Sequence, residues 1–514
     1  MGLVTTSYPA RLYTGVGGIV AVAAYMVCLA WALDNAPYNV ALFLLALPLV
    51  ISAAAAIVVR DLQRRSATWS TREVAIRSIG FSVAGGVGLA LVIGYAAAYA
   101  WAVENASYNT WGGLIVVPIV VAINAVLIVV ISRRGKDPWL ARVLAAAFAL
   151  KLVGALGRYY VAYGVYNSGG DSAGYNLYAA YQSLLWRQGM VVWEVGGKAG
   201  TQFIELLTTA LYVVIGPSTI AGFVVYACFA FWGLYLLYRA FRLAVPVGDH
   251  RRYALLLFFL PSLLYWPSSI GKEAWLLLWL GVAALGAAKF FSRAKGALLP
   301  LALGLVGLAL VRPHVAVLVV CALLAAQLFR PSGPKPTAIL SKVMGLAFLG
   351  LAAYLATDQA AAFLGVESLS ADSVSQSITW AGSQTDQGGS AFITVPLSHP
   401  LGIPAAIVTV LFRPFPFEAG NAQLLIQSME GIFLLGLVIA SWSRLRQFRQ
   451  YARQHTYLWF ATFYTLVYII AFAGFANFGI LARQRVLMLP LFLVLLALPR
   501  TAADRRRVVA AAHR

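Results

Sequence analysis

Apolar runs of roughly 20 residues recur along this chain from Tyr13 to Leu498, with short polar turns between them. A segment lying in hydrocarbon must satisfy its own backbone N–H and C=O groups, which an α-helix does within one run. Hydrophobic residues make up 61% of the 514 and charged ones 11%, against about 25% charged in soluble domains. The chain therefore reads as all-α: a polytopic integral membrane protein of about fourteen transmembrane helices, with interfacial or re-entrant helices on its outer face. Cys28, Cys228 and Cys321 all sit inside apolar runs. They form neither a disulfide framework nor a ligand set for a metal.

The net charge of +21 would suit a nucleic-acid partner, but its distribution argues against one. Most Lys and Arg lie in seven clusters, at Arg60–Arg77, Arg133–Arg142, Arg239–Arg252, Lys289–Lys295, Arg330–Lys342, Arg444–Arg453 and Arg500–Arg514, each abutting the end of an apolar run. That is how cytoplasmic loops are marked. The expected location is the cell membrane, with both termini cytoplasmic.

Residues 1–139 then form a four-helix module whose outer loops contain nothing resembling a site, and residues 140–514 form the core. The core has two long outer loops, 161–217 and 357–400. Within the first, Phe203 to Ile215 is apolar but short of the roughly 20 residues of a crossing, so it is expected to be interfacial or re-entrant. As a full span it would send Arg239, Arg242, Arg251 and Arg252 to the outside, against the charge rule. Lys151 lies at mid-depth in the span Leu140 to Tyr160 and must pair or snorkel.

The first loop also holds the polar island YNSGGDSAGYNLYAAY, Tyr166 to Tyr181. Gly169 and Gly170 permit a tight turn ahead of Asp171, and Tyr175, Tyr178 and Tyr181 follow at helical spacing. Two readings of Asp171 stand: a loop-borne catalytic carboxylate beside Tyr175, or a helix cap.

Other charges converge on the same face once the topology is drawn. They are Lys272 and Glu273 in PSSIGKEAW, Arg312 and His314 in LVRPHVAV, Arg413 and Glu418 in LFRPFPFEAGN, and Arg483 and Arg485 in NFGILARQRVLMLP. A cationic cavity of this kind suits phosphate, which Arg grips bidentately. Each has a plainer reading: Lys272 with Glu273 as an ion pair at a helix start, Arg312 as a snorkelling anchor, His314 as a core histidine, and Arg413 with Glu418 as a local pair.

The GGDS-A-GY loop, the short apolar piece ending Gly216-Pro217-Ser218, the span closing with Tyr238-Arg239 and the final LARQRVLMLP together resemble the GT-C glycosyltransferases. The likeness covers Leu140 to Arg242 well and the rest loosely. It implies an enzyme that takes a sugar from a polyprenyl-phosphate-linked donor at the outer face and passes it to a glycan, lipid or protein acceptor. Asp171 would be the general base, and Tyr175 with the eight outer-turn residues would bind substrate. Many such enzymes carry two adjacent acids, whereas Ser172 follows Asp171 here, so no paired-acid motif supports a divalent metal. The Arg-rich outer face with a long later loop is also similar to O-antigen polymerases and ligases. A lipid-linked sugar transporter is the reading outside enzymes.

Overall fold

The computed structural model describes residues 99–499 apart from 136, 168–169, 194–198, 332–341, 348, 352 and 355–389. The three spans expected before Trp101, the residues Glu194 and Lys198, most of the loop 357–400 and the basic tail lie outside the described residues.

What is described is helical, with one isolated antiparallel bridge between Ala391 and Asn477. The helices used below are α1 (Tyr108–Gly135), α2 (Pro138–Tyr160), α3 (Asp171–Arg187), α4 (Ala199–Ile215), α5 (Thr219–Ala244), α6 (His250–Phe259), α7 (Pro261–Tyr265), α8 (Lys272–Phe291), α9 (Leu298–Ala309), α10 (Pro313–Leu328), α11 (Gly402–Phe412), α12 (Ala422–Ala440), α13 (Thr456–Phe472), α14 (Phe478–Arg485) and α15 (Leu489–Leu496). Five are long and apolar enough to cross a membrane: α1, α2 with its π-helical extension to Val165, α5, α8 and α12. A sixth crossing results if α14 and α15, bent by 63° from one another, count as one. The helices α9, α10, α11 and α13 are apolar but shorter. Several apolar helices thus make a membrane protein.

Among the described residues two compact units are distinguished. The first takes the chain as far as Pro138 with Asn176–Val192 and Leu207–Val224, and the second takes Trp139–Tyr175, Trp193–Leu206 and the chain from Val225 onward.

The first unit is organised at Gly216-Pro217-Ser218. Gly216 has φ +80°, and a Cβ there would collide with the Tyr108 hydroxyl, which donates to Ile215 O at 2.8 Å. Only glycine meets both conditions cheaply. Arg187 donates to Tyr212 O at 2.6 Å and Val213 O at 3.2 Å, so a cation closes the carbonyl end of α4 as the helix dipole favours. Ser218 Oγ donates to Asn109 O at 2.9 Å, and Asn109 Oδ1 accepts from Ile220 N at 3.2 Å.

In the second unit, small residues bring helix backbones close, as bundles in lipid require. Gly233 of α5 meets Gly281 of α8, and Gly304 of α9 lies against Ala283 of α8, with no space for a side chain at any of the three glycines. The apolar run Tyr253 to Trp266, expected from the sequence to be one span, is broken, and a second break follows α14. Pro261 lacks an N–H and divides the run Tyr253 to Trp266 into α6 and α7. Buried charges from other helices then complete the break: Glu430 of α12 accepts from Ser262 N at 2.7 Å, and Lys151 of α2 donates to Leu263 O at 2.7 Å and Leu264 O at 3.4 Å. An anion thus serves the amide end of α7 and a cation its carbonyl end. The second break separates α14 from α15, where Tyr468 donates to Gln484 O at 2.7 Å and Tyr464 to Leu487 O at 3.4 Å. These hydroxyls serve carbonyls at the bend, Gln484 O in addition to its bond from Leu487 N at 3.0 Å.

Candidate functional site

Four helix starts and one helix end in the second unit place the charges of the sequence in contact. Asp171 is the first residue of α3, and the preceding Gly170 carbonyl accepts the first bonds of that helix, from Ala173 N at 2.9 Å and Gly174 N at 3.5 Å. The capping reading of Asp171 is corrected accordingly, because the cap position belongs to Gly170. The Asp171 carboxylate instead faces Arg483 near the end of α14, with Oδ2 accepting from Nη1 at 2.7 Å.

Arg483 turns its other terminal nitrogen to Glu273, with Nη2 2.9 Å from Oε2. Arg312, at the start of α10, donates from Nη2 to Glu273 Oε1 at 3.1 Å and from Nη1 to Gln484 Oε1. Each Glu273 oxygen therefore holds one guanidinium. The expected pairing of Lys272 with Glu273 is a further correction: neighbours on a helix point about 100° apart, and Lys272 Nζ instead donates to Thr201 Oγ1 of α4 at 2.9 Å.

Exposure separates the two carboxylates. The Glu273 side chain is 4% exposed and committed on both oxygens, whereas that of Asp171 is 57% exposed. Glu273 fixes the arginines, and Asp171 stays open to a second molecule. Tyr175, one turn along α3, is buried, and its phenol pKa is pushed up by that burial first and then by Asp171 and Glu273, with Arg483 and a Thr201 hydrogen bond opposing. It is held as a neutral hydroxyl in the floor of the cluster. His314 lies within electrostatic reach of Arg312 and Lys272.

Arg413, Glu418 and Arg485 form a different arrangement. Arg413 pairs with Glu418 at 2.5 Å, as the local reading anticipates, and Glu418 Oε2 also accepts from Phe415 N at 2.8 Å. The Arg413 guanidinium lies 4.5 Å from the Phe392 ring centroid and 5.0 Å from that of Phe478. Buried Arg485 donates to the Arg413 carbonyl.

Thr201, Gln484, the Ser390–Phe392 segment and Glu430 had not been singled out in the sequence. Thr201 and Gln484 are ordinary polar residues, and nothing local marks them. Ser390 to Phe392, at the described end of the second loop, pair with Ala476 to Phe478 at the start of α14, through Phe392 N to Ala476 O at 2.8 Å and Phe478 N to Ser390 O at 3.0 Å. Glu430 carried a readable signal, being a carboxylate within an otherwise apolar run.

Among the described residues no group of three or more His, Cys, Asp or Glu side chains is placed to hold a metal ion. No family model, curated protein or solved structure matches the chain.

Proposed function

We propose that the chain is a membrane glycosyltransferase, which moves a sugar from a polyprenyl-phosphate-linked donor to an acceptor hydroxyl at the outer face of the cell membrane. One observation carries the reading: an accessible carboxylate, Asp171, is hydrogen-bonded into a cluster of three cations drawn from separate elements, Arg483, Arg312 and Lys272. A hydroxyl nucleophile needs a base, and a phosphate leaving group needs fixed positive charge where its own charge develops.

In the step proposed, Asp171 takes the proton of the acceptor hydroxyl as that oxygen bonds to the anomeric carbon. The bond from that carbon to the donor phosphate oxygen breaks, and its electron pair leaves on the phosphate. Arg312 and Arg483, held apart by Glu273, and Lys272 receive that charge without reorganising. Apolar walls between helices accommodate the polyprenyl chain.

Purified full-length protein in lipid vesicles, given a panel of labelled polyprenyl-phosphate sugars and acceptors, is expected to release polyprenyl phosphate with at least one. Release from none of them sinks the reading. Sidedness is tested separately by single-cysteine labelling with an impermeant reagent: exposed position 167, in the loop before Asp171, is expected to react from outside, and position 249 only after permeabilisation.

A further inference from the structure

Apart from the charged cluster, the second unit contains a groove of about 670 Å3 between the π-helical extension of α2, helix α7 and the first turns of α12. Val161, Val165, Ile426, Tyr265 and Trp266 give it an apolar and aromatic wall. Ser262, Asn421, Gln423, Gln427 and Glu430 bring polar side chains to it, and of these Ser262, Gln427 and Glu430 are buried. Gln427 is 7% exposed, and among the described residues neither its Nε2 nor its Oε1 has a hydrogen-bond partner. Glu430 is 6% exposed; its Oε2 accepts from Ser262 N, while Oε1 is without a partner among the described residues. Three residues apart on α12, the two side chains share one face.

Buried polar atoms in native proteins are nearly always paired, so an unused amide and an unused carboxylate oxygen on one groove wall point to a ligand that completes them. The groups required follow from the inventory. Glu430 Oε1 and Gln427 Oε1 accept, and Gln427 Nε2 donates, which matches neighbouring hydroxyls that act as donor and acceptor together. Among the described residues no Lys, Arg or His lines the groove, and the Glu430 carboxylate would repel an anion, so phosphate is the wrong head group. The wall of valine, isoleucine and aromatic rings favours an apolar body behind the hydroxyls, and α12 is long enough to cross a membrane.

We infer that this groove binds the neutral, hydroxylated head of a lipid-linked glycoside, with the start of its apolar chain along Val161, Val165 and Ile426. The further assignment of this ligand as the acceptor of transfer rests on the proposed glycosyltransferase reading, whereas the binding itself does not. Tyr166 ties the two regions, since it lines the groove, donates to Gln423 Oε1 at 2.8 Å and precedes Asp171 by five residues.

The probe is an octyl glucoside carrying a photoreactive group on its alkyl chain, used on the full chain in phosphatidylcholine nanodiscs with no donor present. The expected result is crosslinking to α7, α12 or the 161–165 segment, displaced by excess octyl glucoside at least tenfold more effectively than by octanol or octyl phosphate. Gln427→Leu, which keeps the Glu430 contact with Ser262, is expected to reduce labelling about tenfold at an unchanged melting temperature, and Ile426→Trp to abolish it by filling the space. Equal displacement by octanol would make the groove a site for apolar chains alone and overturn the inference. So would full labelling of Gln427→Leu. In the transfer assay the same variant is expected to raise the acceptor KM and leave kcat unchanged; an unaltered KM with weakened labelling would overturn the acceptor assignment while leaving both the glycoside site and the chemistry at Asp171 standing.

Discussion

Arg483 and Arg485 stand two residues apart on α14, yet they belong to different kinds of structure. Arg483 bridges two carboxylates that come from other helices, one of them open to a second molecule. Arg485 is 2% exposed and donates to the backbone carbonyl of Arg413, whose own side chain is taken up by Glu418 five residues later and by two aromatic rings. At about 100° per residue the two arginines point some 200° apart. Proximity in sequence therefore says little about shared work: the first arginine serves a site that can change partners, and the second holds a turn in place.

The largest expected effect breaks the comparison on its reactive side. Asp171→Asn keeps size and most hydrogen bonds but cannot take a proton, so single-turnover transfer at saturating donor is expected to fall by about a hundred- to ten-thousand-fold, with donor binding retained. Near-normal transfer by this variant would remove Asp171 as the base. Next come the arginines themselves. Arg483→Ala is expected to weaken donor binding by about 1.5–3 kcal/mol, the usual worth of a charge-assisted hydrogen bond, and to lower stability as well, because the buried Glu273 oxygen it holds loses its partner. Arg485→Ala is expected to lower stability by about 1–3 kcal/mol, because a buried carbonyl loses its donor, and to leave donor binding unchanged. Donor titration and thermal unfolding of both variants in the same lipid test the pair, and equal effects of the two on donor binding would erase the distinction.

How much of this was legible beforehand depends on whether the deciding physics is local. Apolar length and the charge rule gave the helical membrane class, and the short piece ending at Gly216 did become its own helix, starting at Ala199 rather than Phe203. Residues out of place for their depth, such as Lys272, Arg312 and Arg483, did gather around Asp171. Their pairing was not legible, because the Asp171–Arg483 contact spans 312 positions and Lys272 finds a threonine rather than the glutamate beside it. The breaks were half legible. Pro261 announces one, but that Glu430 and Lys151 would complete it depends on how α2, α7 and α12 pack. Arginines assigned to topology also have structural partners: Arg252 donates to Leu496 O at 3.1 Å and Arg444 to Leu498 O, closing the carbonyl end of α15. Asp249 accepts from Arg252 N at 3.1 Å and pairs with Arg444 at 3.3 Å.

The smallest expected effect tests whether the Arg413 arrangement is structural alone. Glu418→Gln removes the charge of the local pair while its amide oxygen still reaches Phe415 N, so the turn keeps one of its bonds. Both partners are partly exposed, at 21% and 18%, which puts the pair in the range of about 0–1 kcal/mol measured for accessible ion pairs. Arg413 also retains its place between Phe392 and Phe478, a contact of roughly 0.5–1 kcal/mol at such exposure. The variant is therefore expected to melt within a few degrees of the unmodified chain and to bind donor with unchanged affinity. If Arg413 and Glu418 instead belonged to the phosphate site, neutralising the glutamate would free a guanidinium and tighten donor binding, with a steeper dependence on salt. A donor titration at two ionic strengths separates these outcomes, and tightening at low salt would merge the two clusters into one site.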